Sequence, residues 1–182
     1  DHGDRGSTFT IAPSILTDIV RELDPNVDEH PDQPFPFLNG PCRPEIFWRH
    51  REFVRRLETQ DAEPLEPLWA DVTGLQLVAD VLEDAFEQNG AKPKRRRSTS
   101  EDHSERTEAA KTYLASRISE SVTLDDVAAA VHASPFNFAR IFQQQTGLPV
   151  HRYLTLLRLR AALELIADRH VAPREHWPYY KE

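Results

Sequence analysis

The side chains best suited to catalysis or metal binding are eight histidines and a single cysteine, Cys42. No two histidines stand four residues apart, the spacing that places two imidazoles on one helix face to bind zinc. One cysteine excludes an internal disulfide and a cysteine-rich zinc site, and no serine lies in a nucleophile elbow. His170 and His176 with Glu175 form only a chance cluster. The sequence therefore predicts that the protein is not an enzyme and holds no metal and no cofactor.

Charge is divided unevenly along the chain. The net charge is −8, yet residues 1–91 hold 7 Lys+Arg against 19 Asp+Glu, a balance of −12. Residues 92–169 hold 13 against 9, a balance of +4. Such asymmetry is typical of two modules, the second with a polyanionic partner. A solvated acidic half followed by a basic linker would give the same balance, so charge alone leaves both interpretations open.

Two short segments in the basic part are predicted to form a helix-turn-helix. Thr123 is expected to cap the first helix and Ser134 the second, in which Pro135 fills the first helical position. The second helix is predicted to end at Gly147, with glycine placed for a left-handed cap. In a helix-turn-helix, the second helix can lie in the major groove with its N-terminal side chains against base edges.

The packing of the two helices is also predicted by residue type. Ala128 is small and lets the helices approach closely, and His132 stands in the turn, where the backbone often needs a positive φ. Phe138 is expected to fill the angle between the helices, with Ile141 and Phe142 in the core beside it.

The elements that must position this pair are predicted from apolar residues at helical spacing and from the prolines between them. They are a short amphipathic helix after Pro13 and helices at about 45–57, 64–88, 105–118 and 150–168. Residues 7–11 are interpreted as a short strand remnant, and residues 24–44, with six prolines, as an extended loop. The expected fold class is all-α: a helical hairpin region followed by a three- to four-helix unit.

The helix predicted over 64–88 carries apolar residues at heptad spacing. This seam could pack on the 45–57 helix as an antiparallel hairpin or could join two chains in a homodimer. The two interpretations are compatible, because neighbouring apolar residues widen the face beyond a strict two-position stripe. The candidate dimerisation residues are Leu68, Val72, Leu75, Ala79 and Leu82.

A larger pattern extends from the predicted pair into the last helix. Its residues are Thr123–Ala128, Ser134–Phe142, Gly147–Pro149, Tyr153, Leu154, Arg158, Ala162, Leu165 and Ile166. In order and spacing it resembles the first helix-turn-helix of AraC/XylS-type transcription regulators. The resemblance covers residues 105–168, and residues 45–88 resemble more weakly the helical region that follows the effector-binding barrel of many members.

The resemblance implies a division of the chain into five segments. They are 1–44, a remnant of the cupin-like effector-binding domain with a proline-rich loop; 45–90, a helical linker or dimerisation region; 91–104, a basic flexible linker; 105–168, a partial DNA-binding domain; and 169–182, an irregular tail. The family's second helix-turn-helix has no counterpart in the sequence, which also contains no methionine. The expectation is a truncated chain, on which a small-molecule effector would act only through the missing N-terminal domain.

The resemblance also implies the residues that contact DNA. Most of these residues are expected on the exposed face of the second helix, where Arg140 would donate two hydrogen bonds to guanine O6 and N7 and where Phe136 and Ala139 would touch a thymine methyl group. Gln143 would reach a base edge or a phosphate. The full set is Ser134, Pro135, Phe136, Ala139, Arg140, Gln143, Arg152 and Thr155, the last two as contacts to the DNA backbone.

The expected function is therefore sequence-specific binding of double-stranded DNA by a cytoplasmic transcription regulator. No membrane span is expected, because no window approaches about 18 consecutive apolar residues. The alternative is an oligomerisation or effector-transmission fragment with little DNA binding of its own, in which the heptad seam carries the function.

Overall fold

The computed structural model describes residues 8, 10–24, 26–29, 35, 37, 40, 42–59, 65–90 and 100–171. These residues form seven α-helices and one 3-10 turn, Val27–Glu29, and contain no strand. The helices are α1 (Pro13–Leu23), α2 (Pro44–Glu58), α3 (Pro67–Gln88), α4 (Ser100–Ser116), α5 (Leu124–Ala130), α6 (Pro135–Thr146) and α7 (Val150–Val171). The predicted all-α class is confirmed. Of the predicted strand remnant, Thr8, Thr10 and Ile11 are described and are not in a strand.

The predicted helix boundaries agree with the structure to within three residues, except at the start of α4. This helix begins at Ser100, five residues before the prediction, so the end of the segment expected to be a flexible linker is helical. The added turn has no apolar residue that would have indicated it in the sequence. Residues 91–99 and 172–182 lie outside the described part of the chain.

Three apolar clusters hold the helices together, and α3 contributes to all of them. The helix-turn-helix core consists of Leu68, Val72, Ala110, Leu114, Val122, Leu124, Val127, Ala128, Val131, Phe138, Phe142, Val150 and Leu154. The second cluster consists of Ile19, Val20, Leu23, Val27, Ala79, Leu82, Phe86 and Phe136. The third cluster consists of Ile46, Phe53 and Leu77. Each fully buried large side chain contributes about 1.5–3 kcal/mol.

The heptad seam of α3 is buried within the chain. Leu68 and Val72 lie in the helix-turn-helix core, Ala79 and Leu82 lie in the second cluster, and Leu75 is partly buried against both. The hairpin of α2 and α3 does form, but it uses a different face of α3, so the interpretation in which the seam packs on α2 is wrong. A homodimer contact through these five residues would require α3 to leave its neighbours, and it stays a prediction.

The contact between α2 and α3 depends on a glycine and on an ion pair. A Cβ atom at Gly74 would lie 3.3 Å from Cζ of Phe53, so the absence of a side chain lets this ring approach α3 closely. This close packing offsets the cost of about 1 kcal/mol for glycine inside a helix. At the other end, the buried carboxylate of Asp84 accepts from the backbone N–H of Arg43 at 2.9 Å and pairs with its guanidinium at 2.8 Å.

A carboxylate on α3 also binds the first turn of α5. The backbone N–H of Leu124 donates to Oδ2 of Asp71 at 3.1 Å. Burial raises the pKa of Asp71, the bond from Leu124 opposes that shift, and the nearby Asp125 and Asp126 add to it. Because the folded pKa exceeds the unfolded one, the contribution of Asp71 to stability is greatest at low pH. It declines as the pH rises through the folded pKa.

We expect Asp71→Asn to raise the free energy of unfolding at pH 7, because the amide oxygen still accepts from Leu124 without the charge. The difference from wild type should vanish below a pH of about 3, which is roughly one unit below the ordinary Asp pKa, because Asp71 is then protonated in both states. Asp71→Ala should instead lower the free energy of unfolding by about 1 kcal/mol at pH 7. Urea denaturation of the three proteins at several pH values measures both effects. An Asn variant less stable than wild type at pH 7 would contradict this account.

Candidate nucleic-acid interface

The first helix of the predicted pair, α5, begins at a capping box. The backbone N–H of Asp126 donates to Oγ1 of Thr123 at 3.2 Å, and the backbone N–H of Thr123 donates to Oδ2 of Asp126 at 3.0 Å. The Thr123 hydroxyl also donates to that carboxylate at 2.6 Å and lowers the pKa of Asp126. The predicted cap at Thr123 is confirmed, and it fixes where the seven-residue helix starts.

The turn between α5 and α6 is closed by two backbone hydrogen bonds. The N–H of Ala133 donates to the carbonyl of Ala128 at 3.0 Å, and the N–H of His132 donates to that of Ala129 at 3.2 Å. This is the Schellman arrangement, which needs a left-handed residue directly after the helix cap. His132 has φ of 52°, the only positive φ of a non-glycine residue in the described chain, which confirms the prediction for this position.

The second helix, α6, begins and ends at the predicted residues. Ser134 occupies the N-cap position, Pro135 follows, and Gly147 closes the helix in the left-handed conformation with φ of 73°. The prediction that the side chain of Ser134 caps the helix is wrong, because it makes no capping hydrogen bond. The backbone carbonyl of Ser134 accepts from Phe138 at 2.9 Å, so the first turn closes without the hydroxyl.

The angle between α5 and α6 is set by buried side chains. Ala128, Phe138, Ile141 and Phe142 are all buried, as predicted. The rings of Phe138 and Phe142 lie 5.6 Å apart, and Phe142 meets Tyr153 of α7 edge-on at 5.3 Å. These contacts fix the direction of α6 relative to its neighbours, which a helix that reads DNA requires.

An arginine on α7 joins three parts of the chain. Arg158 donates to the carbonyl oxygens of Ile118 and Glu120, at 2.9 and 2.7 Å, and its guanidinium pairs with Glu66. It thereby connects α7, the segment between α4 and α5, and the start of α3. The sequence pattern included Arg158 only as part of the resemblance and did not indicate this role, because the partners lie 38 to 92 residues away.

The eight predicted DNA contacts differ in their accessibility. Gln143, Arg152 and Thr155 are exposed, and the hydroxyl of Thr155 donates to the carbonyl of His151 at 2.9 Å. The half-buried ones are Ser134, Pro135, Ala139 and Arg140. The remaining residue, Phe136, is buried.

Phe136 was expected on an exposed face, and this expectation is wrong. The side chain is only 7 % exposed and lies in the second cluster with Ile19, Leu23 and Phe86 among its members. The amphipathic character of α1 is visible in the sequence. The sequence does not indicate that the apolar face of α1 packs on Phe136, because any apolar surface could cover that face.

Arg140 is held by two side chains. Its guanidinium lies 3.2 Å from Oε2 of Glu22 on α1 and donates to Oδ1 of Asn137 at 3.2 Å. The Nε atom is buried and has no hydrogen-bond partner among the described residues. The side chains of Arg140 and Glu22 are 25 % and 20 % exposed, so the pair is largely shielded from water.

Two other kinds of site were sought in the described residues. No three His, Cys, Asp or Glu side chains in the described ranges lie close enough to hold a metal ion. The cluster of His170, Glu175 and His176 lies outside the described side chains. None of the described helices combines the length and apolar character needed to cross a bilayer.

We expect His132→Gly to raise the free energy of unfolding by up to about 1 kcal/mol, because glycine adopts positive φ without the steric cost of a Cβ atom. His132→Val should lower it by more than that amount, because a β-branched residue is strongly disfavoured there. Thermal unfolding followed by circular dichroism measures both. Equal stability of the Gly and Val variants would show that the turn does not require the left-handed conformation.

Comparison with known proteins identifies the same segment. Residues 114–155 match the family model described as "Bacterial regulatory helix-turn-helix proteins, AraC family". This range runs from the end of α4, through α5 and α6, into the start of α7. No solved structure matches the chain. The chain therefore carries an AraC-type helix-turn-helix, the DNA-binding element of the bacterial transcription regulators of that family.

Proposed function

We propose that the protein is a sequence-specific regulator that reads the major groove of double-stranded DNA with the N-terminal half of α6. The observation that supports this most is the constrained geometry of the pair. A capping box begins α5, a Schellman turn with positive φ ends it, and buried aromatic side chains fix α6 against it. A helix held in this way can present its side chains to base edges with little loss of entropy on binding.

We propose that some of these side chains contact base edges and that others contact the DNA backbone. Arg140 reads guanine through two parallel hydrogen bonds, and Phe136 and Ala139 contact a thymine methyl group. Gln143, exposed one turn further along α6, reaches a base edge or a phosphate. Ser134 and Pro135 lie at the start of α6, next to the DNA backbone. Arg152 and Thr155, exposed at the start of α7, bind phosphates.

The alternative function, an oligomerisation fragment built on the heptad seam, has less support from the structure. Its residues lie inside the chain against the helix-turn-helix core and the second cluster. We therefore favour DNA binding, for which three of the candidate contacts, Gln143, Arg152 and Thr155, are exposed in the described structure.

Arg140→Lys tests direct readout. A lysine keeps the charge but cannot form the bidentate pair, so discrimination between a selected duplex and its guanine-substituted variants should fall by about 10- to 100-fold. Fluorescence anisotropy with a duplex selected from a random-sequence pool, at fixed salt, measures this ratio. The matched control is Arg160→Lys on the exposed face of α7. Unchanged discrimination in Arg140→Lys would remove Arg140 from the reading surface.

Arg152→Ala tests the proposed phosphate contact. It should weaken binding to all duplexes by a similar factor and reduce the slope of log affinity against log salt by about 1. A titration with the selected and a scrambled duplex at several salt concentrations distinguishes this from a base contact. A loss confined to the selected duplex would show that Arg152 reads sequence instead.

A further inference from the structure

Two helices outside the helix-turn-helix unit cover the face of α6 that would enter DNA. The covering residues are Ile19, Glu22 and Leu23 of α1 and Ala79 and Glu83 of α3, and we name them the cover. They meet Phe136 and Arg140 across a gap of about 10 Å³. Such a volume admits no more than about one water molecule.

The cover places apolar side chains against Phe136 and a carboxylate against Arg140. Ile19 and Leu23 are buried in the same cluster as Phe136, so the ring is removed from water by aliphatic side chains. Oε2 of Glu22 lies 3.2 Å from the Arg140 guanidinium. In a DNA complex the same two side chains would meet a thymine methyl group and the acceptors of guanine.

Two carboxylates lie at the gap where the proposed complex would place the acceptors of DNA. Glu22 and Glu83 both line the gap beside Arg140. They belong to the acidic part of the chain, residues 1–91, which has a balance of −12, and the helix they cover belongs to the part with +4. The contact is therefore electrostatically complementary in the same sense as a protein–DNA contact.

We propose that the cover is an autoinhibitory surface that competes with DNA for Phe136 and Arg140. The inference rests on the proposed function, because it assigns a regulation to the same DNA-reading face. A duplex cannot contact Phe136 until α1 and the adjoining part of α3 have moved away. The apparent affinity for DNA is then reduced by the fraction of molecules in which the face is open.

The first test weakens the cover without touching the reading face. Glu22→Gln removes one charge of the largely shielded pair and should raise the affinity for the selected duplex by about fivefold. Glu58→Gln is the matched control, because it removes the same charge from an exposed position of α2, and α2 does not contact α6. An affinity of Glu22→Gln equal to that of Glu58→Gln would overturn the proposal.

A second variant disrupts the apolar part of the cover. Ile19→Asp places a carboxylate in the second cluster and should raise affinity by at least about tenfold, because a buried unpaired charge strongly favours the open state. Val81→Asp, at an exposed position of α3, adds the same charge outside this contact. Circular dichroism checks that the variant still folds. If Ile19→Asp unfolds, the affinity of Glu22→Gln and the hydrogen-exchange experiment decide whether the cover competes with DNA.

Hydrogen exchange of the unaltered full chain supplies an independent readout. Binding is reciprocal, so a duplex that displaces the cover must also destabilise its docking. Amide exchange in residues 13–23 should become faster when the selected duplex is added, while exchange in residues 135–146 becomes slower. Slower or unchanged exchange in residues 13–23 would overturn the proposal.

The two proposals fail in different ways. If Arg140→Lys loses discrimination while Glu22→Gln and Ile19→Asp bind like their controls, the cover is wrong and DNA reading by α6 stands. If no variant, with the cover intact or weakened, discriminates between duplexes, both the reading function and the cover fail.

Discussion

The structure depends above all on the burial of α3 along several of its faces. One face contributes Leu68 and Val72 to the helix-turn-helix core, a second contributes Leu82 and Phe86 to the second cluster, and a third contributes Leu77 to the contact with α2. A helix that is apolar over so much of its circumference must be surrounded by other elements. The helix-turn-helix core, the second cluster and the contact with α2 all include side chains of α3 for this reason.

The proposed DNA-reading face of α6, with Phe136 and Arg140, must also be shielded from water or paired. Phe136 suits contact with a thymine methyl group, but in water its exposed ring carries a cost that burial against α1 and α3 removes. Arg140 is similar, because a guanidinium largely shielded from water requires a negative partner, and Glu22 supplies one for its terminal nitrogen. The chemistry that fits this face to DNA therefore also fits it to an acidic, apolar helix of the same chain.

Local features of the helix-turn-helix unit could be predicted from the sequence almost completely. The cap at Thr123, the positive φ of His132, the left-handed Gly147 and the buried Phe138 each depend on neighbours a few residues away. One local prediction, the side-chain cap at Ser134, was wrong. The other errors arose where a distant partner decides the outcome. Phe136 was expected to be exposed, and one of the two interpretations of the α3 seam was that it packs on α2.

By itself, the sequence determined where most of the helices begin and end and how the turn of the pair closes. These properties follow from hydrogen bonds and steric limits that act within one or two helical turns. The tertiary structure alone decided which apolar faces meet and that Arg140 pairs with Glu22. The physical reason is that apolar burial is not directional, so a stripe such as that of α1 specifies that it must be covered but not by what.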